Sequence, residues 1–270
     1  MKKKIRIKIK SLVIIEIVLL IILLCFIYSI IRINIKQNHF NAKNEQIINN
    51  NKDDVFKIEK ITICSSANAI DKSSQKDLKD LLIYQYSDIA IYINNGDELT
   101  NRNTIKELYV DNIQLENDGN KGTKFIKYKN LLKFGSKEEI ANADEQEQKI
   151  DFNIIYTNEE NEKANYDEAT FFTDCSNPIS LEYVNYNIAE NFTMQENNSI
   201  SFDGSVLEKA NISIKDISCK LKFKINLITN SNEKYSCYVN FKLPLNDIYN
   251  GTTMKSKTTQ GKEYIFFRHI

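Results

Sequence analysis

Tryptophan is absent from this 270-residue chain, and histidine, proline and glycine number only two, two and seven. The histidines are His39 and His269, far apart in sequence, so a hydrolase triad or a histidine metal centre has no imidazole set to build on. So few glycines leave no G-x-G-x-x-G, no Walker loop and no G-x-S-x-G turn. Asp203-Gly204-Ser205 lacks the flanking residues of a nucleophile elbow. The five cysteines include no C-x-x-C pair, which removes zinc-ribbon and thioredoxin-like chemistry. Without tryptophan, a sugar-binding platform would rest on tyrosine and phenylalanine, whose ordinary place is core and cross-strand packing. These absences leave no catalytic constellation: no enzyme activity and no cofactor is expected.

What the chain does have is an apolar run from Leu12 to Ile31, preceded by Lys2, Lys3, Lys4, Arg6, Lys8 and Lys10. About 20 apolar residues at a helical rise of ~1.5 Å each cover the ~30 Å hydrocarbon core of a bilayer. Only Arg32 and Lys36 follow in the first turns after the run, so the positive-inside bias places the N-terminus in the cytoplasm and the remainder outside. The run is longer than the core of a cleaved secretory signal and ends without a small-residue cleavage pair, which favours an uncleaved anchor. The expected organisation is a cytoplasmic basic leader at 1–11, a transmembrane helix at 12–31, a polar Asn-rich stalk at 32–54 and an extracytoplasmic domain at 55–270.

Glu16 is the one charge inside this helix, at a cost of about 2.5 to 3.5 kcal/mol if held at the bilayer centre. Near the cytoplasmic edge it can reach headgroups, take a proton or pair with Lys10. Ser11-Leu12-Val13-Ile14-Ile15-Glu16 also resembles the processing region of type IV prepilins, with Ser11 where that family has glycine and Leu12-Val13 where it has Phe-Thr. The resemblance covers the first 31 residues. It implies cleavage after Ser11, Leu12 as the mature N-terminus, and Glu16 as the carboxylate that assembles subunits into a filament.

Beyond residue 55 the hydrophobic period changes to two. Ile89, Ile91 and Ile93 alternate ahead of Asn94-Asn95-Gly96, and Leu108–Val110, Ile113–Leu115 and Thr123–Tyr128 follow as short runs. The strongest pattern lies between Cys219 and Leu245. Two alternating arms flank the turn Asn230-Ser231-Asn232-Glu233, as expected of an antiparallel hairpin with one wet face. Further runs at Phe152–Tyr156, Ser180–Tyr186, Ser199–Phe202 and Tyr264–Arg268 complete a mainly β reading, an antiparallel sandwich or jelly roll in one continuous domain. Ser73–Tyr84 and Lys137–Gln148 are the helical candidates. The acidic stretch Asp144–Glu168 matches no EF-hand spacing and is a solvated loop by default.

Outside the membrane stand Cys64, Cys175, Cys219 and Cys237, an even number in a compartment that permits disulfides; buried thiols are the alternative. The hairpin places Cys219 and Cys237 about eight residues apart along the ladder, roughly 26 Å, so they cannot pair with each other. The two-bridge options are then Cys64–Cys219 with Cys175–Cys237, or Cys64–Cys237 with Cys175–Cys219. Basic and acidic residues balance at 36 each. With six basic ones in the leader, the exported part is mildly acidic, which argues against nucleic acid as a partner. The expectation is a membrane-anchored object that binds or scaffolds a protein or carbohydrate ligand.

Overall fold

The computed structural model describes residues 23, 52–71, 79–94, 100, 102–117, 119–137, 147–155, 167–172, 178–194, 202–259 and 263–269. The chain divides between Asn50 and Asn51 into two units. Of the first unit only Leu23 is described, as a helical, exposed residue. Among the described residues no helix is long and apolar enough to cross a membrane. The expected span 12–31 lies, apart from Leu23, outside the described residues, as does Glu16.

The second unit is mainly β. Its strands are β1 (Lys52–Asp71), β2 (Leu81–Asn94), β3 (Ile105–Asn117), β4 (Thr123–Tyr128), β5 (Lys149–Ile155), β6 (Thr170–Phe172), β7 (Ile179–Phe192), β8 (Cys219–Thr229), β9 (Lys234–Lys242), β10 (Thr253–Thr258) and β11 (Ile265–His269). Two short helices, α1 (Ser205–Lys209) and α2 (Ile214–Ile217), lie between β7 and β8. The strands form one curled sheet in the order β4-β7-β2-β1-β11-β9-β8-β3-β5-β6. All pairings are antiparallel except β5 with β6. β1 is long enough to use its second edge twice. Its first residues pair with β11, and Lys60–Ser65 pair with β10.

The inner face of the curl encloses a single large core that draws on strands throughout the sheet and on Val206 and Leu207 of α1. Phe56 of β1 packs edge-on against Tyr235 of β9, with ring centroids 5.0 Å apart, and against Phe266 of β11 at 5.9 Å. Gly204 precedes α1 with its Cα turned to the backbone carbonyls of Ile248 and Gly251, where a Cβ would have no room. This close approach, rather than any nucleophile turn, accounts for the glycine of Asp203-Gly204-Ser205.

Long curved strands keep one face on the core only if their side-chain parity is reset, and extra residues at bulges do this. In β1 the core residues are Phe56 and Ile58, then Ile61 and Ile63, with the register shift between Ile58 and Lys60. In β3 they are Leu108 and Val110, then Ile113 and Leu115, with the shift between Asp111 and Gln114. Asn112 sits in that bulge at φ 52°, and Asn187 and Asn191 of β7 have φ 57° and 54°. Asparagine tolerates the left-handed region better than other residues with a Cβ, which gives part of this Asn-rich chain a structural use.

The strand expectations hold at β2, β4, β5, β7 and β11, and the hairpin is β8 and β9. The runs Leu108–Val110 and Ile113–Leu115 are one bulged strand, not two. The helical reading of Ser73–Tyr84 is corrected, since Leu81–Tyr84 opens β2. Its apolar residues face two different cores, so no period of two is visible there. Residues 138–146, most of the other helical candidate, and 156–166, within the acidic stretch, lie outside the described residues, as do 199–201. β1 begins at Lys52, inside the expected stalk. The hydrogen bonding joins all eleven strands into one sheet, in place of the two separate sheets of a sandwich.

Asn112→Ala is expected to destabilise the fold by about 1 kcal/mol because alanine is strained at this φ, whereas Asn112→Gly is expected to be close to neutral. Denaturant titration of the two variants checks this.

Candidate functional site

β2 is buried on both faces. Leu81, Ile83, Ile89, Ile91 and Ile93 face the main core, while Leu82, Tyr84 and Tyr86 join Phe125 and Val184 in a second cluster on the outer face. The registers align a cross-strand row on that outer face: Cys64 of β1 beside Asp88 of β2, Asp88 beside Glu182 of β7, and Glu182 beside Lys127 of β4. The adjoining row is small, with Thr62, Ala90 and Ser180. Lys129, just past β4, donates its backbone N–H to the Ser180 carbonyl at 3.2 Å and continues the ladder there.

Lys129 has no exposed side-chain surface, and the side chains of Asp88 and Glu182 are 0% and 1% exposed. Its ammonium lies 3.3 Å from Asp88 Oδ1 and 3.2 Å from Glu182 Oε1, and it donates to the Ser136 carbonyl at 2.9 Å. The contacts to Glu182 and to the Ser136 carbonyl are hydrogen bonds, and the one to Asp88 Oδ1 is an ion pair. Glu182 Oε2 faces Lys127 Nζ at 3.2 Å, and Asp88 Oδ2 accepts the Gly135 N–H at 2.7 Å. The segment from Lys129 to Ser136 is therefore an arch pinned at both ends to the outer face of the sheet. Inside it Asn130 caps a 3₁₀ turn by accepting the Leu132 N–H at 2.9 Å, and Gly135 crosses above Cys64 at φ 77°. Beyond it the Lys137 ammonium sits over the Phe202 ring, 5.4 Å from the centroid.

Among the described residues the three fully buried charges sum to −1, and the partly exposed Lys127 stands beside them. Two carboxylates beside one buried ammonium favour a proton on one of them. Burial first, with the charge of Glu182, pushes the Asp88 carboxyl up to about 7 against the pull of Lys129 and the Gly135 N–H. Burial and the charge of Asp88 also push the Cys64 thiol up, and burial carries the Tyr86 phenol to about 12. A thiol so placed is a poor nucleophile. Among the described residues no group of three or more His, Cys, Asp or Glu side chains is placed to hold a metal. With these groups spent on one another or on the arch, the chemistry that the cluster performs is fastening.

Of the cysteines singled out from the sequence, Cys64, Cys219 and Cys237 are buried thiols, and Cys175 lies outside the described residues. Cys219 and Cys237 both face the main core, whereas Cys64 is on the outer face, so the sheet lies between it and the other two. Cys237 stands opposite Ile225, six residues along β8 from Cys219, a spacing of about 20 Å. The separation is shorter than the expected eight residues and still too long for a bridge. His269 ends β11, and His39 lies outside the described residues.

Sequence reasoning did not find Asp88, Lys129 and Glu182. The available signal was a carboxylate within an apolar strand, in Ser87-Asp88-Ile89 and in Leu181-Glu182-Tyr183. Comparison with known proteins finds no match: no family model, curated protein or solved structure is similar to this chain.

Lys129→Met leaves two buried carboxylates without their shared cation and is expected to cost about 3 to 5 kcal/mol. Asp88→Asn leaves Lys129 with Glu182 one to one, and the amide oxygen can still accept from Gly135. A carboxyl raised in the folded state stabilises most below its unfolded value, near 3.8, and that contribution is lost as pH rises towards 7. The variant should therefore lose pH dependence across this window and gain relative to the parent above pH 7, by up to a few kcal/mol. Melting curves from pH 4 to pH 8 measure it. In a peptide map under non-reducing conditions, no Cys219–Cys237 disulfide is expected.

Proposed function

We propose that this chain is a membrane-tethered, extracytoplasmic binding or scaffolding protein. One observation carries the reading: a cluster of six basic residues runs directly into the apolar stretch Leu12–Ile31, and a polar connector then leads to a separate unit with its own core. The run anchors the chain, the basic leader stays in the cytoplasm, and the β unit is held outside. The curled sheet wraps strands from β4-β7-β2-β1 and from β9-β8-β3-β5 around one core. The buried Lys129 cluster supports a scaffolding role because it clamps a surface arch in one geometry, as a preformed binding surface requires. The partner on this reading is a protein or a carbohydrate.

Glu16 and the preceding Ser11 favour a second reading, a pilin-like minor subunit processed after Ser11 and assembled through Glu16. The two readings share the topology and differ in the mature N-terminus.

Protease added to spheroplasts is expected to degrade the β unit while sparing the leader; a fully protected C-terminal region would refute the tethered reading. N-terminal sequencing of the membrane-extracted protein then chooses between the alternatives. An intact leader upstream of Ser11 selects the anchor, and a chain beginning at Leu12 selects the pilin-like subunit. On the anchor reading, Glu16→Leu leaves insertion intact or improved.

A further inference from the structure

The turn between β8 and β9 and the end of β11 meet at an open pocket of about 450 Å³ lined by Asn232, Glu233, Lys234, Arg268 and His269. Antiparallel pairing sets His269 beside Lys234 and Arg268 beside Tyr235. Among the described residues Glu233 is the only carboxylate in the lining, and its acceptors are committed. Arg268 Nη1 donates to Oε1 at 3.0 Å, while Arg102 Nε and the Tyr235 hydroxyl reach Oε2 at 3.3 and 3.0 Å. Burial acts against ionisation here, but the hydrogen bonds from Tyr235 and Arg102 and the charges of both arginines hold this carboxyl below its usual range. Lys106 donates to Asn232 Oδ1 at 3.3 Å, adding a cation at the rim. Lys234 has no ion pair among the described residues, and the only bond from Arg268 is to Glu233. The pocket thus holds a surplus of positive charge and donors not yet used.

The tautomer of His269 follows from a directed chain of hydrogen bonds on the outer face. The Asn226 amide donates from Nδ2 to Asp111 Oδ1 at 2.9 Å, which turns its Oδ1 towards Ser236. The Ser236 hydroxyl donates to that oxygen at 2.8 Å and so spends its only hydrogen. At 2.7 Å from His269 Nε2, Ser236 Oγ therefore accepts, and the imidazole carries its proton on Nε2. In the neutral ring Nδ1 is then bare, and protonation there turns it into a donor. The charges acting on the ring are Lys224 of β8 and Lys234 of β9; Arg268 of its own strand and Glu233 of the turn line the same pocket, Asp111 ends the hydrogen-bond chain, and Glu107 of β3 lies two strands from Lys234 in the same row. Burial, then Lys224 and Lys234, hold the imidazole below its usual value, so the ring is neutral at pH 7.

We propose that this pocket binds a phosphate group through Lys234, Arg268 and His269, and that His269 takes up a proton at Nδ1 as the anion binds. An anion beside the ring offsets the two lysines and supplies the acceptor that a protonated Nδ1 needs. The proposal rests on the reading of the β unit as a binding body and names the chemistry of its ligand. Phosphate-group binding by the detergent-solubilised chain does not depend on topology, so the protease experiment and this one fail separately.

The test follows the imidazole signals of His39 and His269 by NMR in the full chain, from pH 5 to 8, with inorganic phosphate, with glycerol 3-phosphate, and with chloride at matched ionic strength. Phosphate should raise the apparent pKa of His269 by about half a unit or more and leave His39 unmoved. Binding should weaken as pH rises. Lys234→Gln, a change at an exposed position, should lower affinity about tenfold with the melting curve unchanged. Tighter binding of the ester than of inorganic phosphate marks a phosphate carried on a larger ligand, and the reverse marks a site for the free ion. A chloride effect equal to that of phosphate, or a His269 pKa indifferent to both phosphates, overturns the proposal.

Discussion

The central constraint on this fold is that β2 and its neighbours are buried on both faces. Curling the sheet solves the problem on the inside, where the apolar sides of most strands share one core. On the outside, over the row of Cys64, Asp88 and Glu182, the cover is an eight-residue arch, and an arch has little apolar surface to hold it. The sheet holds it with charge instead. Lys129 is placed where it can satisfy two carboxylates from different strands and a carbonyl of the arch at once. Isolated burial of any one of these groups would be strongly unfavourable, and their mutual satisfaction is what makes the cover possible.

Such a cluster specifies geometry more than it adds stability. Replacing all its members with apolar groups of similar shape would remove the desolvation cost, but it would also remove the directionality that fixes where Ser136 and Gly135 sit. The outer face uses the same device in a softer form between β3 and β11, where Asp111, Asn226, Ser236 and His269 are linked in sequence by side-chain hydrogen bonds. In the first network the ions are sealed from water, and in the second one end is open to it. Fastening belongs to the first arrangement, and response to a solute belongs to the second.

The hairpin of β8 and β9 was legible because each arm has one wet face, so its lysines and asparagines alternate with core residues. The opening of β2 was misread as helix because Leu81–Tyr86 has no wet face and hence no alternation. β3 read as two strands because the bulge at Asn112 shifts the apolar parity, which is what the end of one strand and the start of another also look like. β10 carries no apolar alternation, since all its residues after Thr253 are exposed, and nothing in its composition marked it as a strand. Asp88, Glu182 and Lys129 are distant in sequence and meet only through strand order, information that no local pattern contains.

β1, the first strand of the unit, lies inside the sheet, and the neighbours along one of its edges are β10 and β11, the last two. No length of chain short of the final segment can close the core around Phe56, because Phe266 is one of its walls. The contacts that complete the sheet span about 200 residues, so folding of the unit waits on β10 and β11 and is governed by slow, long-range loop closure. A polypeptide that emerges N-terminus first therefore leaves β1 without its second edge until β10 and β11 have been made, and that interval is when it is most exposed to wrong pairing with other strands.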